Sequence, residues 1–482
     1  MNKELYQLPK HLTSRFLYVF IFLSCFFSVL KSRAQEMFWA IQSPNITGGE
    51  LIATDQEGNM YLTAYFEKEL QIGNQILKEE SGRFFLVKFT PDQKVLWVLQ
   101  MECPMEDLQI QGETIYLFGH FKNQFRIAGE EVFGNEYYTA FIAQLNPEGQ
   151  LIWHKTLSGK GDVLAKEMTL DSLGNVFICG NFEETVVLGD TILHKIRKKN
   201  IYLAKYKPDG EFGWASQATG GLTAFTGIHV WGLTWDSTGH LLLMGNLSGE
   251  AFFGKTGIVS SHEVFAGEGA VYNSDIFLAR YTLDGQLIWV KNIAQNAEAQ
   301  DMICSDNGSI YLTGYFSENS TSTLANFDGK KLKTAQNQAV EQVFVAKYSP
   351  LGNLIWLKRG TSPFNNRGIS IATDQKNKYV YITGYFYKNL SVTGSDDLFS
   401  EHQGLNSDIF LLCFQANGKF IFLEKAAGVE NDHVSDSWVD TQENWLLTGR
   451  FKKELIFRHT QLHLEHDKSN AFVLKIHLKK IK

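Results

Sequence analysis

Two stretches decide the fold: DQEGNMYLTAYF at residues 55–66 and SDIFLARYTLDGQLIW at residues 274–289. Between them they contain one four-part phrase. A strand ends in an Asp–Gly/Asn turn, a second strand reads like YLTGYF, a third like FLAKY, and a tight turn leads into LIWxK. The phrase occurs seven times at a period of about 64 residues, a spacing typical of stacked or radial repeats.

Two positions of the phrase are nearly invariant. The second strand carries a glycine in six copies and Ala64 in the first copy: Gly119, Gly180, Gly245, Gly314, Gly384 and Gly449. The fourth strand centres on a tryptophan, with Phe422 in the sixth copy: Trp97, Trp153, Trp214, Trp289 and Trp356. The seventh copy ends before a fourth strand, and residues 37–42, with Trp39 in a similar context, supply the missing one.

Four short strands per copy, separated by Gly, Asp, Asn and Pro turns and without any sustained helical period, predict an all-β chain. Radial repetition of four-stranded units makes a β-propeller. We therefore predict a seven-bladed β-propeller that the N-terminal strand closes. The predicted blades span residues 48–100, 104–156, 163–216, 229–292, 299–359, 367–425, and 433–478 with 37–42.

The repeated phrase resembles the bacterial SBBP β-propeller repeat, which occurs in exported proteins. The likeness includes the middle portion FEKELQIGNQIL at residues 66–77, echoed by FEETVVLGDTIL at residues 182–193, and it extends over residues 37–476. It implies a fold and brings no catalytic residue with it. Copies four to six depart from the pattern through longer middle segments.

The first 34 residues have the composition of a secretory signal peptide. Lys3, Lys10 and Arg15 precede an apolar run at residues 16–30, and Ser32-Arg33-Ala34 follows. The run is short for a membrane span, which needs about 20 residues; an uncleaved anchor and a lipoprotein site at Cys25 remain alternatives. We expect an exported domain at residues 35–482 that is periplasmic, displayed on the outer surface or secreted, without membrane insertion after cleavage.

Charge argues against nucleic acid as a partner. The chain has 45 basic and 52 acidic residues, and without residues 1–34 it keeps 40 and 51, a net charge of −11. Four cysteines remain (Cys103, Cys179, Cys304 and Cys413), and their spacing forms no metal-binding motif. We expect them to be buried thiols.

Carboxylates recur where the innermost strands should face the central channel. Counting back four positions from the Asp turns, with Asp306 as the turn residue of copy five, gives one ring of seven residues. It contains Asp107, Glu167 and Asp436; the ring one residue earlier contains Trp231 and Asp301. We predict these five residues as a binding site at the channel mouth, with a calcium or other cation as a possible occupant; the alternative is an unused, water-filled funnel.

The turn aspartates themselves, such as Asp55, Asp171 and Asp440, are predicted to be structural. Each turn offers one carboxylate, whereas a calcium loop gathers several. Aspartate at the first position of a type I turn explains the pattern.

The long middle segments at residues 248–274, 317–342 and 387–407 share one face with the links between blades. Because binding sites concentrate on variable loops of rigid scaffolds, we expect this face, over the channel mouth, to engage a protein, peptide or polysaccharide of a bacterial cell envelope. Aromatic candidates for a glycan are Phe252, Phe253, Phe327, Phe399 and Trp231.

The sequence therefore predicts a monomeric, non-enzymatic binding or scaffold protein without a cofactor. The competing class is an enzyme similar to quinoprotein propellers, with a cofactor or cation at the channel mouth. A structural module of a surface assembly is the third possibility. Propellers serve many unrelated functions, so the fold does not decide among them.

Overall fold

A computed structural model of the 482-residue chain describes residues 37–40, 45–221, 227–260, 274–317, 324–334, 340–400, 406–464 and 468–478. These residues form the predicted seven-bladed β-propeller. Within these ranges one 3₁₀ turn is described in full, Glu79–Ser81. The predicted signal peptide lies outside the described residues.

The first three blades contain strands β2 to β17, and their bounds are as follows. Blade 1 has β2 (Ile46–Thr54), β3 (Met60–Phe66), β4 (Glu69–Ile72), β5 (Gln75–Lys78), β6 (Phe84–Phe89) and β7 (Val95–Met101); blade 2 has β8 (Met105–Gln111), β9 (Thr114–Ile127), β10 (Glu130–Leu145) and β11 (Leu151–Leu157); blade 3 has β12 (Val163–Leu170), β13 (Val176–Phe182), β14 (Thr185–Leu188), β15 (Thr191–His194), β16 (Lys199–Tyr206) and β17 (Phe212–Gly220).

The later blades follow the same plan. Blade 4 has β18 (Gly227–Asp236), β19 (His240–Ser248), β20 (Glu250–Phe253), β21 (Thr256–Val259), β22 (Asp275–Thr282) and β23 (Leu287–Gln295); blade 5 has β24 (Ala297–Cys304), β25 (Ile310–Phe316), β26 (Ala325–Phe327), β27 (Lys330–Leu332), β28 (Gln342–Tyr348) and β29 (Leu354–Thr361); blade 6 has β30 (Asn366–Thr373), β31 (Tyr379–Tyr387), β32 (Asn389–Val392), β33 (Leu398–Phe399), β34 (Ser407–Gln415) and β35 (Phe420–Ala427); blade 7 has β36 (His433–Val439), β37 (Asn444–Lys452), β38 (Glu454–Phe457), β39 (Thr460–His463), β40 (Ser469–His477) and, from the N-terminus, β1 (Met37–Ala40).

The four main strands of each blade are antiparallel and run outward from the channel in chain order, except that β1 is outermost in blade 7. The disc therefore has two faces. We call "link face" the one that carries the connections between blades and between second and third strands. The "turn face" carries the turns between first and second strands and the hairpins between third and fourth strands.

The N-terminal strand closes the ring by pairing antiparallel with β40. The register of β1 on β40 differs from the expectation that Trp39 takes the place of the central tryptophan. In blades 1 and 5 the central tryptophan pairs with the lysine of the third strand, Trp97 with Lys88 and Trp356 with Lys347. In blade 7 it is Met37, two residues before Trp39, that pairs with Lys475. The predicted residues Ile41 and Gln42 lie outside the described residues.

An irregularity in every innermost strand explains the near-constant glycine. Pairing with the second strand shifts by one residue in blades 2 to 7, for example between Val434 and Asp436, which is a β-bulge. The bulge brings the carbonyl of His433 directly over Gly449, where a Cβ would overlap it. Blade 1 spreads its irregularity over two sites along β2, and its equivalent residue is Ala64.

The near-constant tryptophan joins neighbouring blades. The indole Nε1 of Trp97 donates to the carbonyl oxygen of Pro147, in the third-to-fourth-strand hairpin of the next blade, at 2.9 Å. Trp153, Trp214 and Trp356 repeat this bond at 2.9–3.1 Å. In blade 4 the guanidinium of Arg280 donates to the corresponding carbonyl oxygen, that of Pro350. Trp289 Nε1 has no hydrogen-bond partner among the described residues.

The turn aspartates have the predicted structural role. Oδ1 of Asp55 accepts the N–H groups of Glu57 and Asn59, and Asp171 and Asp440 do the same in their turns. In blade 5 the equivalent residue is Ser305, whose N–H donates to Ser309 O as that of Asp55 does to Asn59 O. The prediction that Asp306 occupies this position is wrong by one residue, because serine replaces aspartate there.

The long middle segments were expected over the channel mouth, and this is wrong for their described parts. They form hairpins that extend the outer edge of the preceding blade: β20–β21 pairs with β17, β26–β27 with β23, and β32–β33 with β29. An outermost strand leaves unpaired backbone groups, which such a hairpin satisfies. The hairpins lie at the rim of the disc, near the link face.

We expect Gly449→Ala to destabilise the protein by about 2–3 kcal/mol, because the added methyl group has no space between the His433 carbonyl and the Phe472 ring. Denaturant unfolding measures the change. Gly213→Ala is the matched control, since a Cβ there meets only marginally close contacts in a strand. Equal stability of the two variants would contradict the role assigned to the bulge.

Candidate functional site

The central channel contains a cavity of about 600 Å³ bounded by the innermost strands. Four of the five predicted site residues line it: Asp107, Glu167, Asp301 and Asp436. They lie near the middle of their strands, inside the channel and away from its mouth. From their level the cavity runs towards the turn face, where Gln111 and Asn377 line it.

The structure changes the predicted membership of the two rings. Asp301 pairs with Thr313 across the blade as Asp436 pairs with Thr448, so these two aspartates occupy equivalent positions. These two aspartates fell in different rings in the sequence analysis because the count ran back from Asp306, and not from Ser305, as the turn residue of blade 5. The β-bulge also turns two successive residues towards the axis, and Glu106 lines the cavity together with Asp107.

Three of these aspartates join adjacent innermost strands. An oxygen of Asp107 accepts the N–H of Met168 at 2.7 Å, Asp301 that of Ile371 at 2.8 Å, and Asp436 that of Ile52 at 2.9 Å. The donors belong to strand edges that face the channel and lack a further strand to pair with. Each carboxylate therefore satisfies a backbone group that would be costly to leave unpaired.

Burial in the channel makes these carboxyl groups weak acids. It raises the pKa of Asp107 and of Asp301 to about 6 and that of Asp436 to about 7; repulsion from neighbouring carboxylates adds a smaller upward effect for Asp107 and Asp436. The hydrogen bonds from the backbone act in the opposite direction. Burial, followed by repulsion from Asp107, Asp301 and Asp436, raises the pKa of Glu167 well above its ordinary value.

A second group of charged residues lies one step nearer the link face. The carboxylate of Glu106 is 3.5 Å from His120 Nδ1 and 3.8 Å from Lys166 Nζ. The ammonium group of Lys166 lies 5.3 Å from the ring centre of Trp231. Trp231, the fifth predicted residue, is 37% exposed and does not line the cavity. The structure thus separates it from the four carboxylates.

Sequence reasoning missed a ring of residues that follow the near-constant glycine (or Ala64), towards the link face. We call these seven residues the collar: Tyr65, His120, Asn181, Asn246, Tyr315, Tyr385 and Arg450. Two collar tyrosines contact the next blade. The guanidinium of Arg367 lies 4.1 Å from the ring centre of Tyr315, and His433 packs edge-on against Tyr385 at 5.8 Å. The signal was present in the sequence, because this position holds four different residue types beside a near-constant glycine.

The predicted glycan aromatics do not form one surface. Phe253 and Phe327 are buried under the rim hairpins, and Phe252 lies beneath the guanidinium of Arg197 at 4.5 Å. Phe399 is exposed, at the rim. Only Trp231 remains near the channel.

Among the residues that the structure describes, no three His, Cys, Asp or Glu side chains converge closely enough to hold a metal ion. Cys103, Cys179, Cys304 and Cys413 are not joined in disulfides. No helix in the described ranges is long and apolar enough for a membrane span.

No protein-family model matches the chain. A WD repeat-containing protein of Acanthamoeba polyphaga mimivirus, L264, described as uncharacterized, is 21% identical over 336 residues, which are 59% of this chain. The match covers 24% of the viral protein, so this chain spans about a quarter of that relative.

Among solved structures, the chain is similar to the propeller of Dos1, with a TM-score of 0.40, 8% identity and coverage of 92% of this chain and 95% of that one. BamB from Moraxella catarrhalis has a TM-score of 0.33, 9% identity and coverage of 91% and 98%. A DUF4221 member from Bacteroides vulgatus has a TM-score of 0.36, 9% identity and coverage of 92% and 96%.

The channel carboxyl groups predict that stability falls as pH rises. Their folded pKa values lie above the unfolded value near 4, so the folded state holds more protons between about pH 4 and pH 7. We expect the free energy of unfolding to be about 2 kcal/mol or more lower at pH 8 than at pH 5. Denaturant unfolding across this range should show a smaller slope for Asp436→Asn, whereas the exposed control Asp92→Asn should keep the slope of the unaltered protein. A stability that rises over this interval would contradict the prediction.

Proposed function

We propose that this chain is an exported, non-enzymatic binding or scaffold protein of a bacterial cell envelope, built from SBBP-type repeats. The observation that carries the proposal is the contrast between constant and variable positions. The glycines, turn aspartates and tryptophans that recur from blade to blade hold the frame together. The collar, at equivalent places on the same frame, holds four residue types among its seven members: Tyr, Asn, His and Arg.

The chemistry of the collar suits a polar macromolecular partner. Tyr65, Tyr315 and Tyr385 are half-buried, and Arg450 of the collar is exposed. Trp231, against Lys166, is also exposed on this part of the molecule. Tyrosine, tryptophan and arginine dominate the energetics of many interfaces because each combines a flat apolar surface with hydrogen-bonding groups. We propose that the link face around the channel engages a protein, peptide or polysaccharide, with the chain acting as a monomer.

Export is supported by the composition of residues 1–34, with three basic residues ahead of a continuous apolar run. The net charge of −11 without these residues supports a partner other than nucleic acid. Absence of a cofactor belongs to the same proposal. A quinone-like absorbance band in the purified protein would contradict it and favour the enzyme class.

The test is affinity capture from native envelope extract by the mature protein. We expect Trp231→Ala combined with Tyr385→Ala to reduce the retained partner at least about tenfold, as removal of central interface aromatics does. The matched control is Leu173→Ala, an exposed apolar residue in a turn on the opposite face. Thermal unfolding of all three proteins shows that the variants are folded.

A second comparison tests whether the partner binds around the channel or at the rim of the disc. A variant without the exposed rim residue, Phe399→Ala, should capture the partner as well as the unaltered protein does. Prior treatment of the extract with protease or with periodate identifies the partner as protein or glycan. Equal capture by the variant that combines Trp231→Ala with Tyr385→Ala and by the Leu173→Ala control would overturn the assignment of the link face around the channel as the binding surface.

A further inference from the structure

The part of the link face where blade 7 meets blade 1 carries two basic side chains. In β37, Phe451 packs into the core between blades 6 and 7, whereas Leu446 packs into the core between blades 7 and 1. Side chains alternate along a strand, so Arg450 and Lys452 share the side of Leu446 and are directed towards blade 1. Both follow Gly449, near the link-face end of the strand.

Gly48 forms a floor between the arginine and a collar tyrosine. A Cβ at Gly48 would lie 3.2 Å from Tyr65 Cε1 and 3.5 Å from Arg450 Cβ. The phenol ring and the arginine stem therefore meet over a residue that has no side chain of its own. Tyr65 is half-buried and Arg450 is exposed. We call these three residues, together with Lys452, the seam corner.

The surface carboxylates nearby are paired with other lysines. Glu430 lies 3.0 Å from Lys453, and Glu67 lies 3.6 Å from Lys468. The pairing with Lys453, and then the charge of Lys452, lower the pKa of Glu430. Among the described residues, no carboxylate forms an ion pair with either base of the seam corner. The corner thus keeps an excess of positive charge on a chain whose net charge is −11 without residues 1–34.

Blade 7 differs here from the other six blades. Each of them has at most one lysine or arginine at the two positions that Arg450 and Lys452 occupy. The equivalent pairs are Tyr65/Glu67, His120/Lys122, Asn181/Glu183, Asn246/Ser248, Tyr315/Ser317 and Tyr385/Tyr387. Blade 2 comes nearest, but burial lowers the pKa of its histidine. A local excess of one charge attracts ligands of the opposite sign, so the seam corner suits an anionic group.

We propose that the seam corner binds the carboxylate-bearing sugar units of an acidic polysaccharide, an inference that rests on the proposed binding function. The guanidinium of Arg450 and the ammonium group of Lys452 pair with the carboxylate of a uronic acid. The open part of the Tyr65 ring contacts the apolar face of the sugar. Gly48 leaves the room between ring and guanidinium that a flat sugar ring needs.

An acidic peptide is the competing ligand, and the local structure disfavours it. Peptides often add a strand to a free sheet edge or place apolar side chains in pockets. Both edges of β37 are already paired, with β36 and β40. Of the large apolar side chains that are exposed in the described ranges, none belongs to blade 7. The corner offers charge and one aromatic ring, which suits a sugar acid better than a peptide.

The test is isothermal titration of the mature protein with polygalacturonate, with neutral dextran as the reference polysaccharide. We expect only polygalacturonate to bind, and its affinity to fall when NaCl is raised from about 50 to about 300 mM. Arg450→Gln combined with Lys452→Gln should weaken binding about tenfold. The matched control is Lys330→Gln combined with Lys331→Gln, which removes the same charge from two exposed rim positions and should bind like the unaltered protein.

A second ligand decides between sugar and peptide. Poly-L-glutamate carries the same type of charge on a peptide backbone, and we expect it to bind more weakly than polygalacturonate. Tyr65→Leu should weaken polygalacturonate binding about threefold. Binding of poly-L-glutamate that is at least as tight, together with no effect of Tyr65→Leu, would overturn the assignment in favour of an acidic peptide.

The remaining outcomes separate this site from the proposed function. Absence of polygalacturonate binding, or equal binding by the Arg450→Gln/Lys452→Gln and Lys330→Gln/Lys331→Gln variants, would overturn the seam corner as a polysaccharide site. Capture of a partner from envelope extract that persists in the Arg450→Gln/Lys452→Gln variant would do the same and leave the proposed function standing. Failure of the proposed function itself would appear as no captured partner for the unaltered protein. Thermal unfolding of each variant shows that it is folded.

Discussion

The structure depends on closure of the ring. Each blade is a twisted sheet with two apolar faces, and only its neighbours bury them, so an open ring would expose one face at each end. The seam between blades 7 and 1 carries the closure: Leu446 and Val473 pack with Leu62, and the carboxylate of Asp436 accepts the N–H of Ile52. Strand β1 supplies the outer strand that blade 7 otherwise lacks. It does so by pairing with β40, which is the last strand in chain order.

The bulge in the innermost strands links stability to the chemistry of the channel. It demands a glycine such as Gly449 in the second strand, and it turns successive residues towards the axis. The carboxylates placed there have a structural task, since Asp107, Asp301 and Asp436 each accept a backbone N–H of the next blade. The same burial that makes those bonds valuable raises the pKa of the groups, so the channel titrates near neutral pH.

Comparison between seams separates the frame from its special sites. Equivalent bonds recur around the ring, so a departure stands out against an internal reference: Arg280 donates to the carbonyl oxygen of Pro350, whereas in blades 1, 2, 3 and 5 a tryptophan Nε1 donates to the equivalent carbonyl. The collar varies more widely and lies on the face that carries the links.

The sequence by itself determined the number of blades, the order of strands and the closing N-terminal strand, because period, turn residues and strand patterns are local properties. Tertiary structure decided what local patterns do not encode. The rim position of the β20–β21 hairpin depends on the free edge of another blade. Ser305 stands where most blades have the turn aspartate, so the sequence did not show that Asp301 and Asp436 occupy equivalent positions. The strand register shows it. The exposure of Trp231 and the role of the channel aspartates arise from contacts between distant segments, whose burial and charge exist only in the closed ring.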